Sequence, residues 1–272
     1  MVNFNEMFAN LGVEVTEPTA HLESTSWLLY GGMGCGKSSV AATASKVEEL
    51  QDVLFLDLEN GSLPVSEWGN PDHVTILNIK SWDDMSKVFK WIVGWESEHT
   101  NKKGEVEPFP FKTIVIDTID KMQDYIYAKW EKGGDGFEAW RQVYEQAMRI
   151  VDTLHHDSGL TVIAITHADR QANDLTGEDF IRPSFEGKKS DRKMAQVFDF
   201  VAYMEWREHP ETEKLYPVMI TRTADDIEAK RRINDFPDVL WNPSFARIME
   251  LLHEAVDKKY QEEEQQKENN NA

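Results

Sequence analysis

The sequence predicts an α/β domain: a mainly parallel central sheet, helices on its faces, and an antiparallel extension of the sheet toward the C-terminus. Three observations carry that expectation. Short apolar runs alternate with longer amphipathic stretches, the pattern of β-α-β crossover units. Most runs are nearly continuous in Val, Ile and Leu, as strands covered on both faces require. The 272 residues are also enough to bury one large core.

Taken in order, residues 1–25 form a lead-in segment with a short amphipathic stretch near 4–11, the domain proper spans 26–252, and 253–272 is an acidic tail rich in Gln and Asn. Strands are predicted at 27–30, 53–57, 74–79, 113–117 and 161–166, and helices at 37–50, 82–98, 121–132 and 137–156. Ser81 and Asp84 form a capping-box signal ahead of the second helix. Residues 101–110 and 132–136 read as surface loops. Residues 168–193 are polar, carry Gly177, Pro183 and Gly187, and predict a long mobile loop, of a length that is usually functional or disordered. Strands at 198–206 and 215–221, joined through His209-Pro210-Glu211, supply the antiparallel extension. A last helix begins near Pro243-Ser244 and gives way over 260–272 to a solvated tail.

Composition narrows the function. Lys and Arg number 29 against 49 Asp and Glu, so the net charge is −20 and the surface as a whole repels phosphate backbones and anionic membranes. Any nucleic-acid contact therefore needs a local basic patch. The single cysteine, Cys35, excludes an internal disulfide and a thiolate metal site, and suits a reducing compartment. The start lacks the basic-then-apolar order of a secretory signal, and no apolar run reaches the roughly 18 residues of a membrane span. A soluble cytoplasmic protein with no membrane partner is expected.

Between the first strand and the first helix stands Gly31-Gly32-Met33-Gly34-Cys35-Gly36-Lys37-Ser38, which fits G-x-x-x-x-G-K-[ST] in the context that the pattern needs. Its glycines let backbone N–H groups turn inward around phosphate oxygens, and the helix start adds partial positive charge. Lys37 offers a point charge to the β- and γ-phosphates, Ser38 a hydroxyl to Mg²⁺, and Ser39 a donor to the α-phosphate. ATP with Mg²⁺ is the ligand that this loop predicts.

Such a loop needs a carboxylate at a neighbouring strand end to hold the metal. Asp57 and Asp117 both qualify. Asp117 is preferred because Ile114-Val115-Ile116 makes the more β-branched and central strand. Asp57 in that role would instead resemble nucleotide kinases. Hydrolysis also needs a group to activate water, and Thr118, not Glu, follows Asp117. Glu59, just past a strand end on the same sheet edge, is the candidate base; Asp120 is a weaker substitute.

The phosphate loop, the strand ending Asp57-Leu58-Glu59, an Asp117 without an adjacent Glu, and the strand Thr161-Val162-Ile163-Ala164-Ile165-Thr166-His167 together resemble the RecA-like recombinase ATPases over residues 27–242. The likeness is strongest to small phage-encoded members that consist of little beyond the core, phage nucleotide-binding or AAA-type ATPases, some acting in single-strand annealing. Gly187-Lys188-Lys189 before Phe198-Asp199, and Ala229-Lys230-Arg231-Arg232 before Phe236-Pro237, add to it.

The resemblance implies that Glu59 activates water, that Asp117 is the metal-associated aspartate, and that His167 senses the γ-phosphate, in place of the glutamine of the bacterial recombinase. A satisfied strand-end histidine is the competing reading of His167. It also implies that 168–193 contacts DNA, through Arg182, Lys188, Lys189, Arg192 and Lys193 against only Glu186 and Asp191. Lys230, Arg231 and Arg232 would reach the γ-phosphate of a neighbouring copy in a ring or filament. Single-stranded DNA and a single-strand-binding or other recombination protein are the implied partners. A nucleoside or nucleotide kinase and a nucleotide-dependent adaptor for a replication or recombination protein are the competing functions.

Overall fold

The computed structural model describes residues 22, 24–61, 63–101, 103–133, 136–172, 179–185, 194–224 and 226–271. Its strands are β1 (Ser26–Gly31), β2 (Val53–Asp57), β3 (Val74–Asn78), β4 (Thr113–Asp117), β5 (Thr161–Ala172), β6 (Asp179–Pro183), β7 (Phe200–Glu208), β8 (Leu215–Ile220) and β9 (Val239–Trp241). The helices are α1 (Lys37–Ala42), α2 (Leu63–Trp68), α3 (Trp82–Glu98), α4 (Ile119–Trp130), α5 (Gly136–Asp152) and α6 (Phe245–Asn271).

The strands lie in the order β3-β2-β4-β5-β1-β7-β8-β9, with β6 hairpinned onto the outer half of β5. From β3 to β7 the pairing is parallel; β8 and β9 then run antiparallel. This is the mainly parallel sheet with an antiparallel extension that the sequence predicts. Register sets the functional edge. Gly31 of β1 faces His167 of β5 on one side and Met204 of β7 on the other, while Asp57 of β2 faces Asp117 of β4.

Alternate residues of each central strand feed two cores, as the period of a pleated strand demands. Leu28, Leu54, Leu56, Ile114, Ile116 and Val162 pack with α3, α4 and α5. Trp27, Leu29, Phe55, Val115, Ile163 and Ile165 pack with α1 and α6. On the second face Trp27 stacks on Phe200 with ring centroids 4.0 Å apart and meets the edge of Phe245 at 5.6 Å.

Three expectations are corrected. The first helix does not run over 37–50: α1 ends at Ala42 and tightens into a 3-10 turn over Thr43–Lys46. Thr43 and Ser45 donate to the carbonyls of Val40 and Ala42, the local side-chain bonding that competes with a regular helix. The stretch from 168 is not simply loop, since β5 continues to Ala172 and pairs with β6; residues 173–178 and 186–193 lie outside the described ones. The C-terminal segment does not leave the helix at 260, because α6 runs on to Asn271 through Glu, Gln and Lys, all good helix formers. The short elements α2 and β9 are additions to the predicted order; β9 has 3 residues, too few for a periodic signal. The cap at Ser81 is as expected: its hydroxyl accepts from the Asp84 amide at 3.2 Å and donates to the Asp84 carboxylate at 2.8 Å.

Candidate functional site

The phosphate loop connects β1 to α1 at the edge where the parallel strands end. Gly36 sits at φ 93°, a left-handed conformation that a side chain would strain, and this turns the chain into α1. Gly31 is required for space, since a Cβ there would lie 2.2 Å from the Met204 carbonyl oxygen. Lys37 is nearly buried, and its ammonium donates to the carbonyls of Gly31 and Gly32 at 3.0 and 2.8 Å, so it folds over its own loop. Burial pushes the Cys35 thiol above its usual range, although Lys37 lies nearby.

Of the two strand-end aspartates, Asp117 is the one beside the phosphate loop's serine: the Ser38 hydroxyl donates to Asp117 Oδ2 at 2.7 Å. Asp57 does different work: its Oδ1 accepts from the amides of Glu59 and Gly61, both at 3.1 Å, and so shapes the turn that carries Glu59. The exposed Glu59 accepts from the Thr118 hydroxyl at 2.9 Å, which draws it over the end of β4. Burial, with the charges of Glu59 and Asp57 adding to it, pushes the Asp117 carboxyl up to about 6 despite the Ser38 bond and Lys37. Asp57 Oδ2 is buried with no hydrogen-bond partner among the described residues. Two buried carboxylates, Asp57 and Asp117, with a serine hydroxyl beside them and the exposed Glu59 nearby, offer the hard oxygen donors that Mg²⁺ takes, so the residues fit that ion.

His167 lies between the loop strand and the Asp117 strand because β5 is inserted between β1 and β4. Its Nδ1 hydrogen-bonds the Asp120 carboxylate. The Ser184 amide donates to the His167 carbonyl at 2.8 Å, which ties the residue directly to the β5–β6 hairpin.

A cleft of about 660 Å³ opens beside the loop, lined on one wall by Gly34, Gly36, Lys37, Ser38 and Ser39 and on the other by Trp68, Trp206, Tyr216, Pro217, Asn242 and Pro243. Trp206 Nε1 donates to the Gly34 carbonyl at 2.9 Å. These aromatic and proline residues come from α2, β7, β8 and the connection after β9, far apart in sequence, and no local pattern marks them. Met33 stands out of the loop, 88% exposed.

The basic candidates fall elsewhere. Arg182 lies on β6 opposite Asp169; Lys188, Lys189, Arg192 and Lys193 lie outside the described residues. Lys230 bridges Val201, which pairs with Leu28 in β1, so this cluster occupies the end of the sheet opposite Gly31. There Lys230 donates to the Gln196 carbonyl at 2.8 Å, Arg231 pairs with Asp238 at 2.7 Å, and Arg232 pairs with Asp199 at 3.0 Å. Burial, then the charge of Arg232, holds Lys230 below its ordinary range. None of the three reaches the phosphate loop of its own chain.

No curated protein matches the sequence. Among solved structures, the chain is similar to a KaiC-like protein from the hyperthermophilic archaeon Pyrococcus horikoshii, at 15% identity and a TM-score of 0.46 over 85% of this chain and 99% of that one. No described helix is long and apolar enough to cross a membrane. Residues 23–233 match the AAA domain family along more than half of the sequence, so the chain belongs to that family and is a P-loop ATPase.

Proposed function

We propose that the chain binds ATP with Mg²⁺ at its phosphate loop, hydrolyses it slowly unless assembled, and couples nucleotide state to single-stranded DNA in recombination or annealing. The observation that carries the catalytic part is the Ser38–Asp117 bond at 2.7 Å with Glu59 held alongside by Thr118 at 2.9 Å. Ser38 and Asp117 would hold the Mg²⁺, which when bound neutralises charge on the β- and γ-phosphate oxygens. Lys37 exchanges two loop carbonyls for those phosphates. The apolar wall formed by Trp68, Trp206, Tyr216 and Pro217 supports a nucleoside seated in the adjoining cleft.

Glu59 accepts a proton from the attacking water as its oxygen bonds to the γ-phosphorus. The bond from that phosphorus to the bridging oxygen breaks, and its electron pair leaves with ADP. Glu59 then returns the proton to phosphate or solvent. His167 reports the γ-phosphate to the hairpin, whose following basic residues, Lys188, Lys189, Arg192 and Lys193, would meet the DNA backbone together with Arg182. Lys230, Arg231 and Arg232 would serve the neighbouring copy.

Phosphate release measured with and without single-stranded DNA, over a range of protein concentration, tests the whole reading. Glu59→Gln should keep ATP binding and lose turnover, whereas Lys37→Ala should lose both. Transfer of phosphate to a small nucleoside acceptor would favour a kinase. Turnover unaffected by DNA, with no salt-sensitive DNA binding, would favour an adaptor.

A further inference from the structure

We propose that Asp120 is a positioning residue for hydrolysis, fixing the ring of His167 beside Glu59 so that one nitrogen faces the reacting phosphate. The inference rests on the hydrolytic reading above and adds to it a residue with no assigned role there. Asp120 stands in the first turn of α4, and Thr118 is the N-cap of the same helix. From this one turn Thr118 bonds Glu59 while Asp120 bonds His167. Glu59, Asp120 and His167 bring their side-chain ligand atoms within 4.8 Å of one another. The candidate base and the candidate sensor, from two separate strands, therefore converge on the start of one helix.

The chemistry follows from the imidazole ring. A free histidine samples two tautomers and two ring flips, and only some of these present a useful nitrogen to a phosphate oxygen. A carboxylate accepting from Nδ1–H selects one tautomer and one orientation, and leaves Nε2 as the working atom. Asp120 commits one oxygen to holding the ring. Its Oδ2 meets His167, whereas Oδ1 is buried with no hydrogen-bond partner among the described residues. A buried oxygen left without a partner costs free energy, a cost that the contact with His167 alone does not offset. His167 is also the last β5 residue in register with β1, at Gly31, so its ring orientation is set at the mouth of the phosphate loop.

The test uses the full chain. In Asp120→Ala, phosphate release at saturating ATP should fall about tenfold or more while KM stays within about twofold, the size of effect that carboxylates exert when they orient a functional histidine. Asp120→Glu should recover a large part of the loss. Nitrogen-15 spectra of the histidine rings should show His167 protonated at Nδ1 in the parent and a tautomer mixture in Asp120→Ala. Retention of turnover in Asp120→Ala, or a loss carried by KM alone, would overturn the proposal. So would a parent spectrum with His167 protonated only at Nε2, a measurement that needs no variant to fold. The two readings fail separately: if Glu59→Gln keeps turnover, the hydrolytic assignment falls, and if Glu59→Gln loses it while Asp120→Ala does not, only the positioning role falls.

Discussion

At Gly31 and Asp117 single atoms decide whether the site exists. The Gly31 position is enclosed: a Cβ would meet the Met204 carbonyl at 2.2 Å and the Cys35 sulfur at 2.9 Å. The first of these neighbours is backbone in a paired strand and cannot yield. Gly31→Ala should therefore cost about 3 kcal/mol or more, the upper range for overpacking, read as a lowered denaturant midpoint with unchanged slope. An unchanged midpoint would mean that β1 and β7 are not packed as described. Asp117 carries a different cost. Its carboxyl is raised to about 6 in the nucleotide-free fold, against an ordinary 3.8. A raised carboxyl favours the fold while protonated, so its contribution is complete below about pH 4 and is lost as pH climbs through about 6, at most about 3 kcal/mol. Asp117→Asn keeps an acceptor for Ser38 and removes the charge. It should raise the Tm of nucleotide-free protein at pH 7.5 and leave it unchanged near pH 4, while abolishing the stabilisation by ATP with Mg²⁺. A Tm that drops at pH 7.5 would contradict the crowding of Asp57, Glu59 and Asp117.

Among the elements, those with strong periodicity are legible in the sequence and those defined by tertiary pairing are not. The strands β2 and β4 and the helix α3 stand where their runs of Val, Ile and Leu or their capping signal put them. The glycine-rich turn and its Ser38–Asp117 partnership follow from spacing and strand centrality. The outer half of β5 and all of β6 are hidden, because a two-stranded hairpin that runs on past the ends of the neighbouring parallel strands is only partly buried and so reads as polar loop. The cleft wall is hidden for another reason: Trp68, Trp206 and Tyr216 meet only after α2, β7 and β8 are packed. The C-terminal helix shows the converse limit. Its propensity carries it to Asn271, but among its described residues the last apolar ones buried in the core are Leu252 and Ala255. Removal of 261–272 should therefore shift the Tm by no more than about 1 °C, because surface substitutions away from packing are near neutral. A larger drop would mean that the distal helix packs against something after all.

For the whole molecule, the proposed ring or filament sets conditions on charge and geometry. A net charge of −20 opposes random association, so copies that did associate would need complementary patches at short range. The phosphate loop lies at one end of the parallel strands and Lys230, Arg231 and Arg232 at the other, with Arg232 about half exposed over Asp199. Head-to-tail stacking would bring the basic end of one copy toward the nucleotide of the next, a heterologous contact that closes into a ring or propagates as a filament. Each active site would then draw on two chains, and this has a consequence that single-chain catalysis lacks. Lys37→Ala copies keep the basic cluster but lose the nucleotide, and Arg232→Ala copies keep the nucleotide but lose a cation that stabilises transition-state charge. Each variant alone should be poorly active. Mixed, they should regain phosphate release, because mixed neighbours pair an intact phosphate loop with an intact Arg232, and the gain should peak near equal proportions. Arg232→Ala with full activity alone, or a mixture no better than the sum of its parts at every ratio, would confine each site to one chain and leave the basic cluster as a structural clasp on Asp199 and Asp238.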